Sequence, residues 1–231
     1  MPKSVTPTLD QCYFYHSLDL PSGVVNGDWD LRSRFRQYIG NVDLRDRTVL
    51  DVGTASGFLS FEAEKAGAKS VTSFDSDSAE NWQVAPDEIV DRDYFQKMRN
   101  GYVFAHRSFK SSAKCVLGNV YQVDTAVPQH DIVIVAQILV HLRDPLTALE
   151  AAASRAKEQI IVVERITDTE EPTALYLGGR ARYAWWHLSR GIYRTWLAKL
   201  GFDITSHAFA KYHCKATSSH HGLTTLIATR R

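Results

Sequence analysis

Apolar residues in this chain fall into two kinds of run. Short continuous stretches, at 48–52, 70–74, 115–123, 131–137 and 159–164, read as strands covered on both faces. Between them lie runs with helical spacing. Residues 58–66 favour helix and end at Gly67. A helix is expected near 87–100, and the aromatic and basic stretch 101–112 reads as an amphipathic face. Pro145 opens another, with Leu146, Leu149 and Ala153 on one side. Ser189 caps a helix whose stripe is Ile192, Tyr193, Trp196, Leu197 and Leu200, closed by Gly201. Residues 31–39 fit a shorter amphipathic helix. Two β-rich runs, 202–210 and 223–229, follow, joined by a polar, histidine-containing connection. Strand and helix repeated five times, then a strand pair, predict an α/β fold: a Rossmann-like, doubly wound sheet with a terminal antiparallel pair.

That pattern leaves two stretches outside the alternation. Residues 1–45, rich in aromatics and turn formers, read as a strap or lid ahead of a main domain at 46–231, and Tyr15, His16 and Trp29 are its candidate functional groups. Residues 165–188 show no regular period, but hold Arg182, Tyr183, Trp185 and Trp186. Aromatic walls with a few cations suit a flat or anionic acceptor, so this insertion is expected to bind substrate.

The turn after the first core strand carries the clearest chemistry. Gly53 and Gly57 bracket Thr54 and Ala55, and such a turn, followed by exposed helix N–H groups, is a place where a nucleotide-like ligand docks. Asp75 ends the next strand about twenty residues on, with Ser76 and Asp77 beside it, where an acid commonly accepts hydrogen bonds from ribose hydroxyls. Ala55 stands where a dinucleotide fingerprint has its middle glycine. Asp51, an acid at the end of a buried strand, fits a cationic ligand better than a pyrophosphate. Together these point towards S-adenosylmethionine. The third strand end, Gly118 and Asn119, borders the same crevice. His141, just beyond the fourth strand, is a candidate general base, with His16 second; the plain alternative for His141 is a brace of the Arg143-Asp144-Pro145 turn.

Net charge is +1 over 231 residues, which neither predicts nor forbids a nucleic-acid partner. Cys12, Cys115 and Cys214 are odd in number and far apart, which indicates a reducing compartment. No signal pattern or membrane span is visible, so the expectation is a cytoplasmic protein without a membrane partner. His213, Cys214, His220 and His221 are not expected to converge on a metal, and oligomeric state is not legible.

Val49-Leu-Asp-Val-Gly53, Asp75 and Ile138-Leu-Val-His-Leu-Arg-Asp-Pro145 resemble class I S-adenosylmethionine-dependent methyltransferases. Within them the chain is most similar to the group around the bacterial enzyme that carboxymethylates wobble uridine in tRNA. That similarity spans roughly residues 13–228 through Tyr15-His-Ser-Leu-Asp-Leu-Pro-Ser-Gly23, Gly57-Phe-Leu-Ser-Phe-Glu-Ala-Glu64, His141-Leu-Arg-Asp-Pro-Leu146 and Trp196-Leu-Ala-Lys-Leu-Gly-Phe202. The resemblance implies a seven-stranded sheet with S-adenosylmethionine as cofactor. It places Gly53 at the methionine part, Asp75 and Asp77 at the ribose, Asn119 and Val120 at the adenine, and Ala136 and Gln137 along the pocket floor. Two departures matter. Where the carboxymethylating enzymes hold the extra carboxylate with a tyrosine and an arginine, this sequence has Val140 and Leu223. Neither neutralises a buried carboxylate, so the plain cofactor is expected. The expected activity is methyl transfer to an oxygen or nitrogen of a small-molecule acceptor. The rivals are a tRNA-modifying enzyme and a non-catalytic protein that has kept cofactor binding.

Overall fold

In the computed structural model, which describes residues 6–179 and 183–231, the core is one seven-stranded sheet. In chain order the short hairpin β1 (Leu18–Leu20) and β2 (Gly23–Val25) precedes helix α1 (Phe35–Tyr38). Then come β3 (Thr48–Val52), α2 (Phe58–Lys65), β4 (Ser70–Asp75), α3 (Arg92–Ser108), β5 (Lys114–Leu117), α4 (Val123–Ala126), β6 (His130–Ala136), α5 (Pro145–Ala153) and β7 (Ala156–Glu164). A second hairpin, β8 (Ala174–Tyr176) and β9 (Trp186–Leu188), leads to α6 (Arg190–Lys199), β10 (Phe202–Cys214) and β11 (Ser219–Arg230).

The sheet order is β10-β11-β7-β6-β3-β4-β5. The five strands from β5 to β7 are parallel; β11 pairs antiparallel with both β7 and β10. Ile160, Ile161, Val162 and Val163 have no exposed surface, as a strand covered on both faces requires. Each such side chain contributes about 1.5–3 kcal/mol of burial. On one face the N-terminal segment, through Phe14, Leu18, Trp29, Leu31, Phe35 and Tyr38, packs with Phe58 and Phe61 of α2 and Tyr102 of α3. On the other, α5 and α6 bury Leu149, Tyr193 and Leu197 against Leu50, Val133 and Val162. Side-chain caps fix the helix starts: Asp91 accepts from Tyr94 N at 2.9 Å, Asp144 from Thr147 N at 3.1 Å, and Ser189 from Ile192 N at 3.3 Å.

Four expectations need correction. The helix placed at 87–100 starts later, at Arg92, and runs on through Gly101 to Ser108, taking in most of the stretch read as an amphipathic face; a Cβ at Gly101 would strike the Tyr13 carbonyl, so that glycine is a close-packing position. The helix at 31–39 shrinks to a 3-10 turn, Arg32–Arg34, and the four residues of α1. The histidine-containing connection is strand, with His213 paired to His220 across the hairpin. The stretch 165–188 contains paired strands, β8 and β9. Among the described residues no helix is long and apolar enough to cross a membrane.

Candidate active site

Strand order reverses between β3 and β6, which run from the same end of the sheet into helices on opposite faces. Ligands of open α/β sheets bind outside the carboxyl ends at such a point. The β3 turn is held from beneath, since Gly53 N and Thr54 N both donate to the Phe74 carbonyl, at 2.8 and 3.1 Å. Gly53, Ala55 and Gly57 take φ of 82°, 50° and 92°. A Cβ on Gly53 would lie 2.3 Å from Ile138 Cγ2, so the turns after β3 and β6 meet with room only for glycine.

Two carboxyls flank the turn. Asp51 is fully buried; its Oδ2 accepts from Thr54 Oγ1 at 2.8 Å and Ser60 Oγ at 2.7 Å, and Ser73 donates to Ser60 at 2.7 Å. Among the described residues its Oδ1 has no hydrogen-bond partner, and burial pushes the carboxyl up to about 6. Asp75 is half-buried; Oδ2 accepts from Ala55 N at 2.6 Å and Oδ1 from Ser76 N at 2.7 Å. Burial raises it too, against those two amides. Each oxygen keeps a second acceptor site. Asp77 is exposed and accepts from Asn81 at 2.6 Å, while Gly118 N donates to the Asp75 carbonyl at 2.9 Å. Asn119 Oδ1 caps the turn holding Val120 through Tyr121 N at 3.0 Å, and the half-buried Val120 is the first residue of that turn.

Opposite this turn, Ala136 ends β6 and Gln137 follows with φ 55°, its N–H bonded to the Val163 carbonyl at 2.8 Å. His141 closes the turn; its Nδ1 lies 3.2 Å from the Tyr183 carbonyl, and burial lowers its titration. The structure therefore joins His141 to the insertion. Trp185 N donates to the Val140 carbonyl at 2.7 Å, and Trp186 Nε1 to that of Arg143 at 3.0 Å. Arg182 lies outside the described residues.

The N-terminal segment lies against the β3 turn: Ser56 Oγ accepts from Tyr15 N at 3.1 Å and His16 N at 3.5 Å. His16 is buried against the Phe58 ring, 5.2 Å away, its Nδ1 without a partner among the described residues, and burial lowers it to about 3. Trp29 pairs with this same segment: its N–H donates to the Tyr15 carbonyl at 3.0 Å and its carbonyl accepts from Ser17 N at 2.8 Å. It is buried, bridged to Cys214 and 5.2 Å from the His221 ring, on the β10 side of the core. Among the described residues no group of three or more His, Cys, Asp or Glu side chains is placed to hold a metal.

Three residues were passed over. Trp82 stands within 5.3–6.2 Å of Phe95, Tyr94 and Tyr183, linking α3 to the insertion. Next to it Gln83 bonds Tyr121 OH at 2.8 Å and Arg143 N at 2.5 Å, and its carbonyl accepts Trp185 Nε1 at 2.6 Å. Glu164, ending β7, is buried beneath the β6 turn. Its signal was present: an acid closing the apolar run Ile160–Val163. A surface cavity of about 570 Å³ is lined by Glu80, Val84, Glu88, Ile89, Val90 and Arg92 and includes none of the turn residues. Chemistry, not volume, marks this site.

Comparison with solved structures places the fold. Over 87% of the chain and 78% of theirs, magnesium protoporphyrin IX methyltransferase from Synechocystis, with bound S-adenosylmethionine, matches at 16% identity and a TM-score of 0.56. Human N-acetylserotonin methyltransferase, also with that cofactor, matches at 18% identity and 0.56 over 87% of this chain and 52% of its own. A candidate RNA methyltransferase of Pyrococcus horikoshii matches at 15% and 0.57 over 85% and 80%. These identities establish the fold alone. No curated protein matches the chain. The family model for ribosomal protein L11 methyltransferase (PrmA) matches residues 36–163, more than half of the chain. The chain belongs to that family, and is a class I S-adenosylmethionine-dependent methyltransferase.

Proposed function

We propose that the chain transfers a methyl group from S-adenosylmethionine to an oxygen or nitrogen of a small-molecule acceptor at the turns after β3, β4 and β6. The observation that carries this is the glycine cradle between two unlike carboxyls. Asp75 keeps acceptor sites for a ribose diol, and Asp51, fully buried beside the turn, keeps one oxygen without a partner among the described residues. The residues present therefore fit the cofactor, with Asn119, Val120, Ala136 and Gln137 bounding its adenine and floor. When bound, S-adenosylmethionine supplies an electrophilic methyl group on sulfur.

What the chain's own residues contribute is alignment and a proton acceptor. Methyl transfer needs close approach and orientation more than covalent help. His141, neutral at pH 7 because burial disfavours its cation, takes the acceptor's proton. Tyr183, Trp185, Trp186, Trp82 and Tyr15 shape the acceptor side. His16 titrates too low, and is too fully enclosed, to be the first choice.

The plain cofactor is favoured over a carboxylated one. Leu223 lies in the apolar core, 1% exposed, and Val140 presents no donor side chain. An extra carboxylate there would lack a cation. A tRNA acceptor finds less support. Arg32 is paired with Asp19 and Asp30 at 2.6 Å, and Arg34 stacks on Tyr212, so these cations are already engaged. The test is mass spectrometry of cell extract incubated with protein and methyl-labelled cofactor. Label is expected among small molecules; label in RNA alone overturns the acceptor class. Cofactor binding without any labelled product turns the chain into a non-catalytic binder.

A further inference from the structure

The turn from Gln137 to His141 touches both halves of the site: Ile138 presses on Gly53, and His141 meets the insertion through Tyr183. It has no regular structure beyond a single 3-10 turn, Leu139–His141, and Gln137 is held at a φ of 55° that residues other than glycine and asparagine seldom adopt. Something must hold it. Glu164 lies beneath it, 2% exposed, at the end of β7, with Oε1 accepting from Leu139 N at 2.8 Å and Oε2 3.2 Å from Gln137 Nε2.

We infer that Glu164 is a positioning residue for methyl transfer, its buried carboxyl clamping the Gln137–His141 turn so that donor and acceptor meet. The inference rests on the methyl-transfer reading of this crevice. Among the described residues no lysine, arginine or histidine lies within ion-pair distance of Glu164, so an ionised carboxylate would be buried without a counter-charge. Burial pushes it up to about 8, so the clamp is neutral at pH 7. The titratable groups around it are Tyr193 on α6, Tyr38 on α1 and His141 on the turn; the first two are raised far above their usual range and the third is lowered. None of the three carries charge near pH 8. Across the sheet its β11 partner is Thr224, and the adjoining Arg165 is turned to His221. Loss of the Glu164 proton therefore has no neighbouring titration to mask it.

The test uses the whole protein, S-adenosylhomocysteine as probe, and two variants, Glu164→Gln and Glu164→Leu. Affinity is measured by calorimetry between pH 7 and 9.5, and exchange of the Leu139 amide is followed without ligand. Wild type should lose at least tenfold in affinity over that range. Glu164→Gln, permanently neutral, keeps its oxygen for Leu139 N and bonds Gln137 once that amide flips to present its oxygen; it should bind like wild type at pH 7 and change less with pH. Glu164→Leu should bind weakly throughout and lose Leu139 protection. Equal protection of Leu139 in wild type and Glu164→Leu overturns the inference, as does a pH profile shared by wild type and Glu164→Gln. Absence of binding by wild type would sink the methyl-transfer reading instead, while Leu139 exchange still decides the clamp.

Discussion

Asp75 Oδ2 accepts the Ala55 N–H at 2.6 Å, tying the end of β4 to the centre of the turn after β3. The acid expected to receive a ribose thus also shapes the cradle. Ala55 sits at φ 50° because that geometry aims its amide at the carboxylate, and the hydrogen bond offsets the conformational cost.

Gly53→Ala should damage the site from two directions. The new Cβ would collide with Ile138 and sit at φ 82°, costing about 2–3 kcal/mol. Melting should fall by roughly 4–10 °C. Adding Ile138→Ala should recover part of that loss, by relieving the collision but not the backbone strain. No recovery in the double variant would show that the contact between the two turns is not the source.

Asp51→Asn should separate stability from function. The folded carboxyl titrates near 6 against an ordinary 3.8, so its contribution is present below pH 4 and lost as pH rises through 6. That loss is on the order of 3 kcal/mol. The asparagine oxygen can still accept from Thr54 and Ser60. Its melting temperature should exceed that of wild type at pH 7.5, with the gap closing at pH 4. A lower value at pH 7.5 would contradict the buried-charge account.

His141→Ala should leave cofactor affinity within about twofold while turnover falls by roughly 10²–10⁴. Because the imidazole titrates below its usual 6.5, its basic form persists into mildly acid solution. The acid limb of the wild-type pH–rate profile should therefore lie below pH 6.5 and vanish in the variant. Unchanged turnover would reduce His141 to a brace for the Tyr183 carbonyl.

The strand–turn–helix unit around Gly53 was legible because its signals are local: an apolar run, glycines at fixed spacing, and an acid at a strand end. The sheet followed from alternation alone. What stayed hidden depends on distant partners. Gly101 gives no local sign that the Tyr13 carbonyl fills the place of its side chain. Trp82 and Gln83 gain meaning only when Tyr183, Trp185 and Arg143 come to meet them. Trp29 meets Tyr15 and Ser17 through backbone pairing, and His221 through its ring, contacts that no local spacing announces.

The most direct test is calorimetric titration of S-adenosylhomocysteine into wild type and Asp75→Ala. The wild-type protein should bind one equivalent, and loss of the carboxylate should weaken it at least tenfold, about 1.4 kcal/mol or more. Equal affinity in the two proteins would contradict a methyl-donor site built on the Gly53 turn and Asp75.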